Sequence, residues 1–303
     1  MRRMSTRQVI IFMTYTSLLV GFSACSSSNG PRSVPTQTVI PSTATVTVTS
    51  TPSPIPATLT PTPLTCLTDP GLIKQDVVAT TNPPQEFLIY LPPCYENSAD
   101  TRFPVLYLLH GQTYMNDQWV RIGAPVIADQ LIHSAEAMPF IMIFPDDRYW
   151  NSPAGDGFGD RFINDLIPYV DENYRTIADR EHRSLGGLSR GGGWAVKLGF
   201  DHPELFGSLG LHSPAIFKDN APYLDKIIQT ILEETRPKLW LDIGDADMEL
   251  GNAILLEEIL TRNDYIHEFH RFSGDHTETY WSAHVRHYLR WYAQGWLEKP
   301  AKQ

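Results

Sequence analysis

The sequence predicts an α/β fold in which a mainly parallel central sheet is flanked by helices. Two observations lead to this prediction. Short apolar runs recur from residue 87 onward, and longer segments between them carry apolar residues at three- and four-residue spacing. Such alternation is typical of buried parallel strands covered by amphipathic helices on both faces. The predicted strands are 87–91, 105–109, 140–144, 184–188 and 239–243, and the predicted helices are 160–173, 190–201, 221–235 and 249–263.

The N-terminal residues 1–25 have the pattern of an export signal. Three arginines lie within the first seven residues, ahead of an uncharged and largely apolar run that is short for a spanning helix. The run ends in Phe22-Ser23-Ala24-Cys25, which resembles a bacterial lipobox. This resemblance implies that Cys25 is lipidated and anchors the protein to the membrane at the cell surface. The alternative is a cleaved secretory signal with an incidental cysteine.

Residues 26–65 are dominated by Ser, Thr and Pro and cannot bury a core. We expect them to form a disordered tether, or a plain disordered tail. One large globular domain is therefore predicted over residues 66–303. The formal net charge of −10, without a cluster of Lys and Arg, argues against a nucleic-acid partner. The sequence makes no prediction of the oligomeric state.

The three cysteines fit an exported protein. If Cys25 carries lipid, Cys66 and Cys94 are left as a pair. An oxidising exterior would favour a disulfide between them. The alternative is two separate buried thiols, because spacing alone does not show that the two Cα atoms come within bonding range.

A serine lies where the chain is expected to turn sharply from strand to helix. The segment Gly187-Leu188-Ser189-Arg190-Gly191 matches the pattern G-x-S-x-G, directly after one predicted strand and before a predicted helix. A serine on such a turn needs small neighbours and projects into solvent at the helix N-terminus. Ser189 is therefore the candidate nucleophile. The alternative is a glycine-rich turn with a capping serine.

A serine hydroxyl becomes nucleophilic when a histidine removes its proton and a carboxylate orients that histidine. His276 lies in a glycine-bearing loop ahead of the terminal helix, and it follows Ser189 in the chain. Between them, Asp247 and Asp245 both follow a predicted strand, so either could be the acid.

Two backbone donors are needed for the oxyanion that forms when an ester is attacked. The N–H of Arg190, directly after Ser189, is expected to be the first. The N–H of Gln112, in the turn His110-Gly111-Gln112 after a predicted strand, is expected to be the second. The alternative for this segment is a simple polar turn.

Four groups of residues occur in an order shared with a known family: Leu109-His110-Gly111 followed by Trp119, residues 187–192, Gly244 with Asp247, and Gly274 with His276, Tyr280 and Trp281. With them, residues from about 85 to 295 resemble an esterase family that includes esterase D, feruloyl and acetyl-xylan esterases, enterochelin esterases and mycolyltransferases. The resemblance implies an α/β-hydrolase fold and acyl transfer to water through Ser, Asp and His. It places the acid three residues after Gly244, and so favours Asp247 over Asp245.

The segment 213–237 is long enough for one helix and leaves no room for a cap domain. An open site would admit a small-molecule ester or one linked to a polysaccharide. We expect substrate contacts from Trp119, Tyr149, Trp150 and His212, and a solvated loop at residues 146–148. Serine chemistry needs no metal and no cofactor, and a packing role is expected for the histidines at 284 and 287. The alternatives are an acyltransferase of the mycolyltransferase type and a non-catalytic binding module.

Overall fold

The computed structural model describes residues 65–97, 99–148 and 157–297. The predicted export signal with Cys25 and the predicted tether as far as residue 64 lie outside the described residues. So do Tyr149 and Trp150.

An eight-stranded sheet forms the centre of the described chain, in the order β1-β2-β4-β3-β5-β6-β7-β8. The six strands from β4 to β8 along this order are mutually parallel, whereas β2 runs antiparallel to both β1 and β4. The predicted mainly parallel sheet is confirmed. The strands are β1 Leu72–Val78, β2 Gln85–Leu91, β3 Val105–Leu109, β4 Ile141–Pro145, β5 Arg183–Leu188, β6 Ser208–His212, β7 Lys238–Gly244 and β8 Glu268–Phe272.

The apolar pattern did not predict strand β1. It lies at the edge of the sheet, and most of its residues are exposed. Its sequence, LIKQDVV, has no uninterrupted apolar run because β2 covers only one of its sides. The central strands β3, β4 and β5 are buried along their whole length, which is why their apolar runs predicted them within about two residues.

Helices cover both faces of the sheet. The predicted helix 160–173 begins slightly earlier and contains one wide turn, the π-helical segment Phe162–Leu166. The predicted helix 221–235 is shorter, because single 3-10 turns flank its helical core. The helices are α1 Gln118–Arg121, α2 Ala124–His133, α3 Phe158–Arg161, α4 Ile167–Asn173, α5 Arg190–Asp201, α6 Leu224–Thr230, α7 Leu250–Arg262 and α8 Glu278–Leu297.

Two apolar cores lie on opposite faces of the sheet. Along β3, Val105, Tyr107 and Leu109 enter one core, whereas Leu106 and Leu108 enter the other, as the alternation of side chains in a strand requires. Helices α3 to α7 cover the first core, and α1, α2 and α8 cover the second. Among the described residues, no helix is both long enough and apolar enough to span a membrane.

The predicted pairing of Cys66 with Cys94 is confirmed. The structure contains this disulfide, with the two Cα atoms 5.1 Å apart. Cys94 follows the end of β2, which is antiparallel to β4. The disulfide therefore lies toward the edge where the parallel strands begin.

The segments that the sequence singled out lie at the opposite end of the sheet, where the parallel strands end. His110 follows β3, Ser189 follows β5, Asp247 follows β7 and His276 follows β8. Because the strands are parallel, their carboxyl ends meet at one edge, which is where ligands bind in open α/β sheets.

Candidate active site

Ser189 occupies a strained turn between β5 and α5. Its backbone angles are φ 54° and ψ −118°, and its N–H donates to the carbonyl oxygen of His212 at 2.9 Å. A non-glycine residue with positive φ is uncommon, and such strain persists only where neighbours hold it. Added Cβ atoms at Gly187 and Gly191 would lie 2.3 Å from the Gly191 backbone and 2.2 Å from Leu109 O. The two glycines are therefore required for the chain to turn this tightly.

Ser189, His276 and Asp247 form a continuous hydrogen-bonded row. His276 Nε2 lies 2.8 Å from Ser189 Oγ, and His276 Nδ1 lies 2.8 Å from Asp247 Oδ1. Since a carboxylate only accepts, Nδ1 carries the proton, and the Nε2 lone pair faces the serine hydroxyl. Ser189 and His276 are half-buried, whereas Asp247 is only 5% exposed. This geometry can pass a proton from the serine to the histidine.

The environment of Asp247 keeps it ionised. Burial raises its pKa. Hydrogen bonds from His276, the Glu249 N–H and the Ser213 hydroxyl, together with the nearby His276 charge, lower the pKa by more than burial raises it. The net pKa of Asp247 is therefore below its ordinary value. The Glu249 N–H lies 2.8 Å from the same Oδ1 atom that faces His276.

Asp245 has a different position from Asp247, although both follow β7. It is exposed, and its Oδ1 accepts the N–H of Gly274 at 2.9 Å. Asp245 thereby ties the β7 loop to the loop that carries His276. Asp242 lies on β7 itself, as expected.

The loop after β3 lies beside Ser189. A Cβ atom added at Gly111 would be 3.5 Å from Ser189 Cβ. His110 Nε2 accepts the N–H of Asp147 at 2.8 Å, so its proton is on Nδ1, which lies 2.8 Å from Gly111 O. The Gly111 N–H donates to the buried Gln118 side chain at 2.8 Å. These bonds fix the turn that carries Gln112, and Arg190 begins α5 on the other side of Ser189.

The side chain of Arg190, the residue after Ser189, is held by an aspartate and two aromatic rings. Its Nε atom donates to Asp147 Oδ2 at 2.8 Å, and its guanidinium group lies over the rings of Trp194 and Phe217. Trp194 Nε1 donates to the same Asp147 oxygen at 2.7 Å. Asp147 and its neighbour Asp146 are 4% and 3% exposed, so the expectation of a solvated loop here was wrong. The apolar pattern gave no signal for this pairing.

Two of the expected substrate contacts are wrong. Trp119 is fully buried in the core under α8, and its Nε1 atom donates to Leu109 O at 3.0 Å. His212 is also fully buried, and its ring lies between buried partners rather than at the open edge. Neither side chain can contact a substrate, because the core encloses both. Their aromatic and polar character alone does not distinguish a buried anchor from a binding platform.

A buried polar cluster surrounds His212 and was not predicted. His212 Nδ1 lies 2.6 Å from Asp242 Oδ1, which also accepts Trp240 Nε1 at 2.9 Å. The other oxygen, Oδ2, accepts the hydroxyls of Tyr280 and Tyr288, each at 2.8 Å. Burial and the Asp242 charge raise the pKa of both tyrosines, so they remain donors.

The two histidines His284 and His287 pack against Phe272. Within the described ranges, no group of three or more His, Cys, Asp or Glu side chains has an arrangement that could hold a metal ion. A cavity of about 300 Å³ lies where β7 and β8 begin, lined in part by Lys238, Ile266 and Trp291. Ser189 lies at the other edge of the sheet, so this cavity is separate from the site.

Comparison with known proteins agrees with the fold. A bifunctional endo-1,4-beta-xylanase/feruloyl esterase from Xylanibacter ruminicola is 35% identical over 136 residues, 41% of this chain and 19% of that protein. Esterase Rv1288 from Mycobacterium tuberculosis is 31% identical over 133 residues, 41% of this chain and 28% of that protein. This chain thus spans less than a third of the length of these two relatives.

Among solved structures, a ferulic acid esterase superimposes with a TM-score of 0.68 and 24% identity, covering 75% of this chain and all of that one. This likeness shows the α/β-hydrolase fold, and no large cap is present among the described residues. A family model described as "Putative esterase" matches residues 79–292, more than half of the chain. Because this match covers more than half of the chain, the chain belongs to this esterase family.

Proposed function

We propose that this protein is a serine esterase that hydrolyses carboxylic esters through an acyl-enzyme. The observation that carries the proposal is the row Ser189 Oγ, His276 Nε2, His276 Nδ1 and Asp247 Oδ1, joined by two contacts of 2.8 Å. Membership of the esterase family supports the same chemistry.

In the proposed reaction, Ser189 Oγ attacks the ester carbonyl carbon while His276 Nε2 takes the hydroxyl proton. The negative charge on the carbonyl oxygen is stabilised by the N–H groups of Arg190 and Gln112, which flank Ser189. His276 then gives its proton to the departing alkoxide, and the serine remains acylated. A water molecule, deprotonated by His276, attacks the acyl group and releases the carboxylic acid. Asp247 holds the ring in the required tautomer throughout.

We propose that the substrates include acyl groups on polysaccharide, feruloyl or acetyl. The feruloyl esterase named among the relatives and the ferulic acid esterase among the solved structures support this class. The site lies at an open edge of the sheet, with a single short helix, Leu224–Thr230, in the segment where a lid could be inserted. A bulky or polymer-linked ester could therefore reach Ser189.

The location is proposed from the sequence. Residues 1–25 would direct export, Cys25 would carry the lipid, and residues 26–65 would form the tether that links the anchor to the catalytic domain at 66–303. A disulfide at Cys66 and Cys94 is consistent with an oxidising compartment. Metabolic labelling with a radioactive fatty acid tests the anchor, with Cys25→Ser as the variant expected to lose label.

The decisive experiment measures hydrolysis of p-nitrophenyl acetate and methyl ferulate by the full chain. Ser189→Ala and His276→Ala are each expected to reduce kcat about 10⁴-fold or more. Asp245→Asn is the matched control for Asp247→Asn, because both carboxylates follow β7 and only Asp247 contacts His276. Asp245→Asn is expected to change kcat by less than about tenfold.

A folded wild type as inactive as Ser189→Ala would overturn hydrolysis as the proposed function. Transfer of an acyl group to an added alcohol, without release of free acid, would instead identify an acyltransferase, because both reactions pass through the same acyl-enzyme. Retained binding of an ester without either product would identify a binding module.

A further inference from the structure

Ser213 occupies an unusual position next to the proposed triad. It directly follows β6, is fully buried, and has a positive φ of 46°. Its N–H donates to Asp242 O at 2.8 Å, which fixes it against β7. Serine gains nothing from a left-handed backbone, where glycine is the favoured residue. A side-chain role would explain why serine stands here.

The hydrogen bonds around Ser213 leave one proton to place. Trp281 Nε1 donates to Ser213 Oγ at 3.2 Å, and an indole N–H can only donate. Ser213 Oγ is therefore the acceptor in that contact, and its own hydroxyl proton must point to another group. Trp281 also packs against His276, the partner of Asp247, so Ser213 lies beside the proposed triad. A hydrogen bond from the Ser213 hydroxyl is also one of the causes of the lowered pKa of Asp247.

Asp247 has a carboxylate oxygen that could accept this proton. Its Oδ1 atom accepts from His276 and from the Glu249 N–H. Its Oδ2 atom is buried, and among the described residues no donor stands in full hydrogen-bonding geometry to it. An unsatisfied buried carboxylate oxygen is costly. A small movement of the Ser213 Oγ atom toward Oδ2, with its proton pointing there, would satisfy both groups at once.

We propose that Ser213 is a positioning residue for the esterase reaction, donating its hydroxyl proton to Asp247 Oδ2. The inference rests on the proposed function of the triad. With Oδ2 held by Ser213 and Oδ1 by Glu249 N–H, the carboxylate cannot rotate away from His276. Asp247 is then fixed on both oxygens before His276 becomes charged.

Trp281 extends the same arrangement to the histidine. Its ring meets the His276 ring edge to face, with centroids 5.0 Å apart and an interplanar angle of 82°. One residue of α8 thus supports His276 with its ring and Ser213 with its N–H group. Trp281→Phe keeps an aromatic ring beside His276 and removes the N–H donor, so it separates the two contributions.

The test compares two substitutions that remove the hydroxyl with a control on β6, the strand that precedes Ser213. Ser213→Ala and Ser213→Gly should each lower kcat about 10- to 100-fold, with KM changed by less than about twofold. Ser213→Gly relieves the left-handed strain, which offsets part of the cost of the hydrogen bond lost from Trp281, so its Tm should exceed that of Ser213→Ala while activity falls in both. Ser208→Ala removes another buried hydroxyl of β6, bonded to Ser184 at 2.6 Å, and should leave kcat unchanged.

The pH profile provides a readout that a packing defect would not move. Without the Ser213 donor, Asp247 would carry a less dispersed charge and favour the imidazolium form of His276. The acid limb of kcat/KM should therefore move to higher pH in both Ser213 variants. Trp281→Phe should show a smaller shift in the same direction.

Wild-type kcat and an unshifted acid limb in a folded Ser213→Gly protein would overturn the proposal. That result is distinct from failure of the esterase function, in which wild type itself would match Ser189→Ala. A fall in kcat for Ser208→Ala as large as for Ser213→Ala would also overturn it, because any buried hydroxyl of β6 would then have the same effect.

Discussion

Two aspartate–histidine pairs lie at neighbouring positions in the described part of the chain, and one of them meets the candidate nucleophile Ser189. Asp247 Oδ1 lies 2.8 Å from His276 Nδ1, and Asp242 Oδ1 lies 2.6 Å from His212 Nδ1. The two carboxylates are five residues apart, on β7 or just after it. In both pairs the aspartate faces Nδ1, so the contact alone does not distinguish them.

The difference lies at the other nitrogen of each ring. His276 Nε2 faces the half-buried Ser189 hydroxyl, and 18% of the His276 side chain is exposed. His212 Nε2 instead faces the Tyr292 hydroxyl at 3.3 Å, and the His212 ring is stacked on Tyr288 with centroids 3.8 Å apart. Burial raises the pKa of Tyr292 well above its ordinary value, so this hydroxyl does not provide a reactive anion. Solvent access to the histidine and the group that faces its Nε2 atom therefore separate the proposed catalytic pair from the buried one.

Neutralising Asp247, the acid of the pair beside Ser189, should have the largest effect on activity. Asp247→Asn is expected to lower kcat about 10³- to 10⁴-fold, because the amide favours the wrong tautomer of His276. The free energy of unfolding at pH 7 should fall by no more than about 1 to 2 kcal/mol, since the substitution keeps the side-chain shape. Steady-state kinetics and urea unfolding of the same preparation measure both. If Asp247→Asn lowered the free energy of unfolding by as much as it raised the activation free energy, Asp247 would have a structural role like that of Asp242.

Neutralising the acid of the buried pair should have the opposite balance. Asp242 accepts four hydrogen bonds from fully or nearly fully buried groups. Removing one partner from such a cluster costs about 3 to 5 kcal/mol, so Asp242→Asn should lower Tm strongly. The folded fraction at low temperature should retain much more activity per folded molecule than Asp247→Asn. Unchanged thermal unfolding, measured by circular dichroism, would contradict a structural role.

Removing a single donor from the buried cluster should have a smaller effect. Tyr288→Phe deletes one hydroxyl that donates to Asp242 and keeps the ring that stacks on His212. Because a hydrogen bond to a charged group contributes about 1.5 to 3 kcal/mol, the free energy of unfolding should fall by that amount. Leu289→Met, a volume-conserving change at the adjacent buried position, is the packing control and should cost less than about 1.5 kcal/mol.

The pH dependence of stability should reveal the smallest effect. The pKa of Asp247 is lowered in the folded protein, so its contribution to stability is complete above the unfolded value, near 3.9. That contribution is lost as the pH falls through the lower, folded pKa. Below about pH 4, wild type should therefore lose stability more steeply than Asp247→Asn in urea unfolding. Parallel slopes for the two proteins would contradict the lowered pKa.

The chain order of motifs was sufficient to identify Ser189 and His276 as candidates and to limit the acid to Asp245 or Asp247. The G-x-S-x-G turn is a local pattern, because its glycines are needed wherever a chain makes this turn. The choice of Asp247 over Asp245 came from a family resemblance, and the structure brings Asp247 to His276. The cysteine pair was likewise anticipated from the sequence.

Other side chains were misjudged because residue type carries little information about depth. Trp119 and His212 have the chemistry of ligand contacts, yet both lie inside the core. Asp147 has the chemistry of a surface residue, yet it is buried against Arg190 and Trp194. Each of these outcomes depends on residues that are distant in the chain.

The sequence by itself determined the parallel sheet, the turn that carries the candidate nucleophile and the order of the motifs. These features follow from local periodicity and from backbone conformations that only certain residues adopt. Tertiary structure alone decided which aspartate faces which histidine, and which pair remains open to solvent. Only four residues separate Asp242 from Asp247, but their environments are set by α8, β6 and the loop after β8. Reactivity depends on those environments, because burial and the third partner decide what each pair can do.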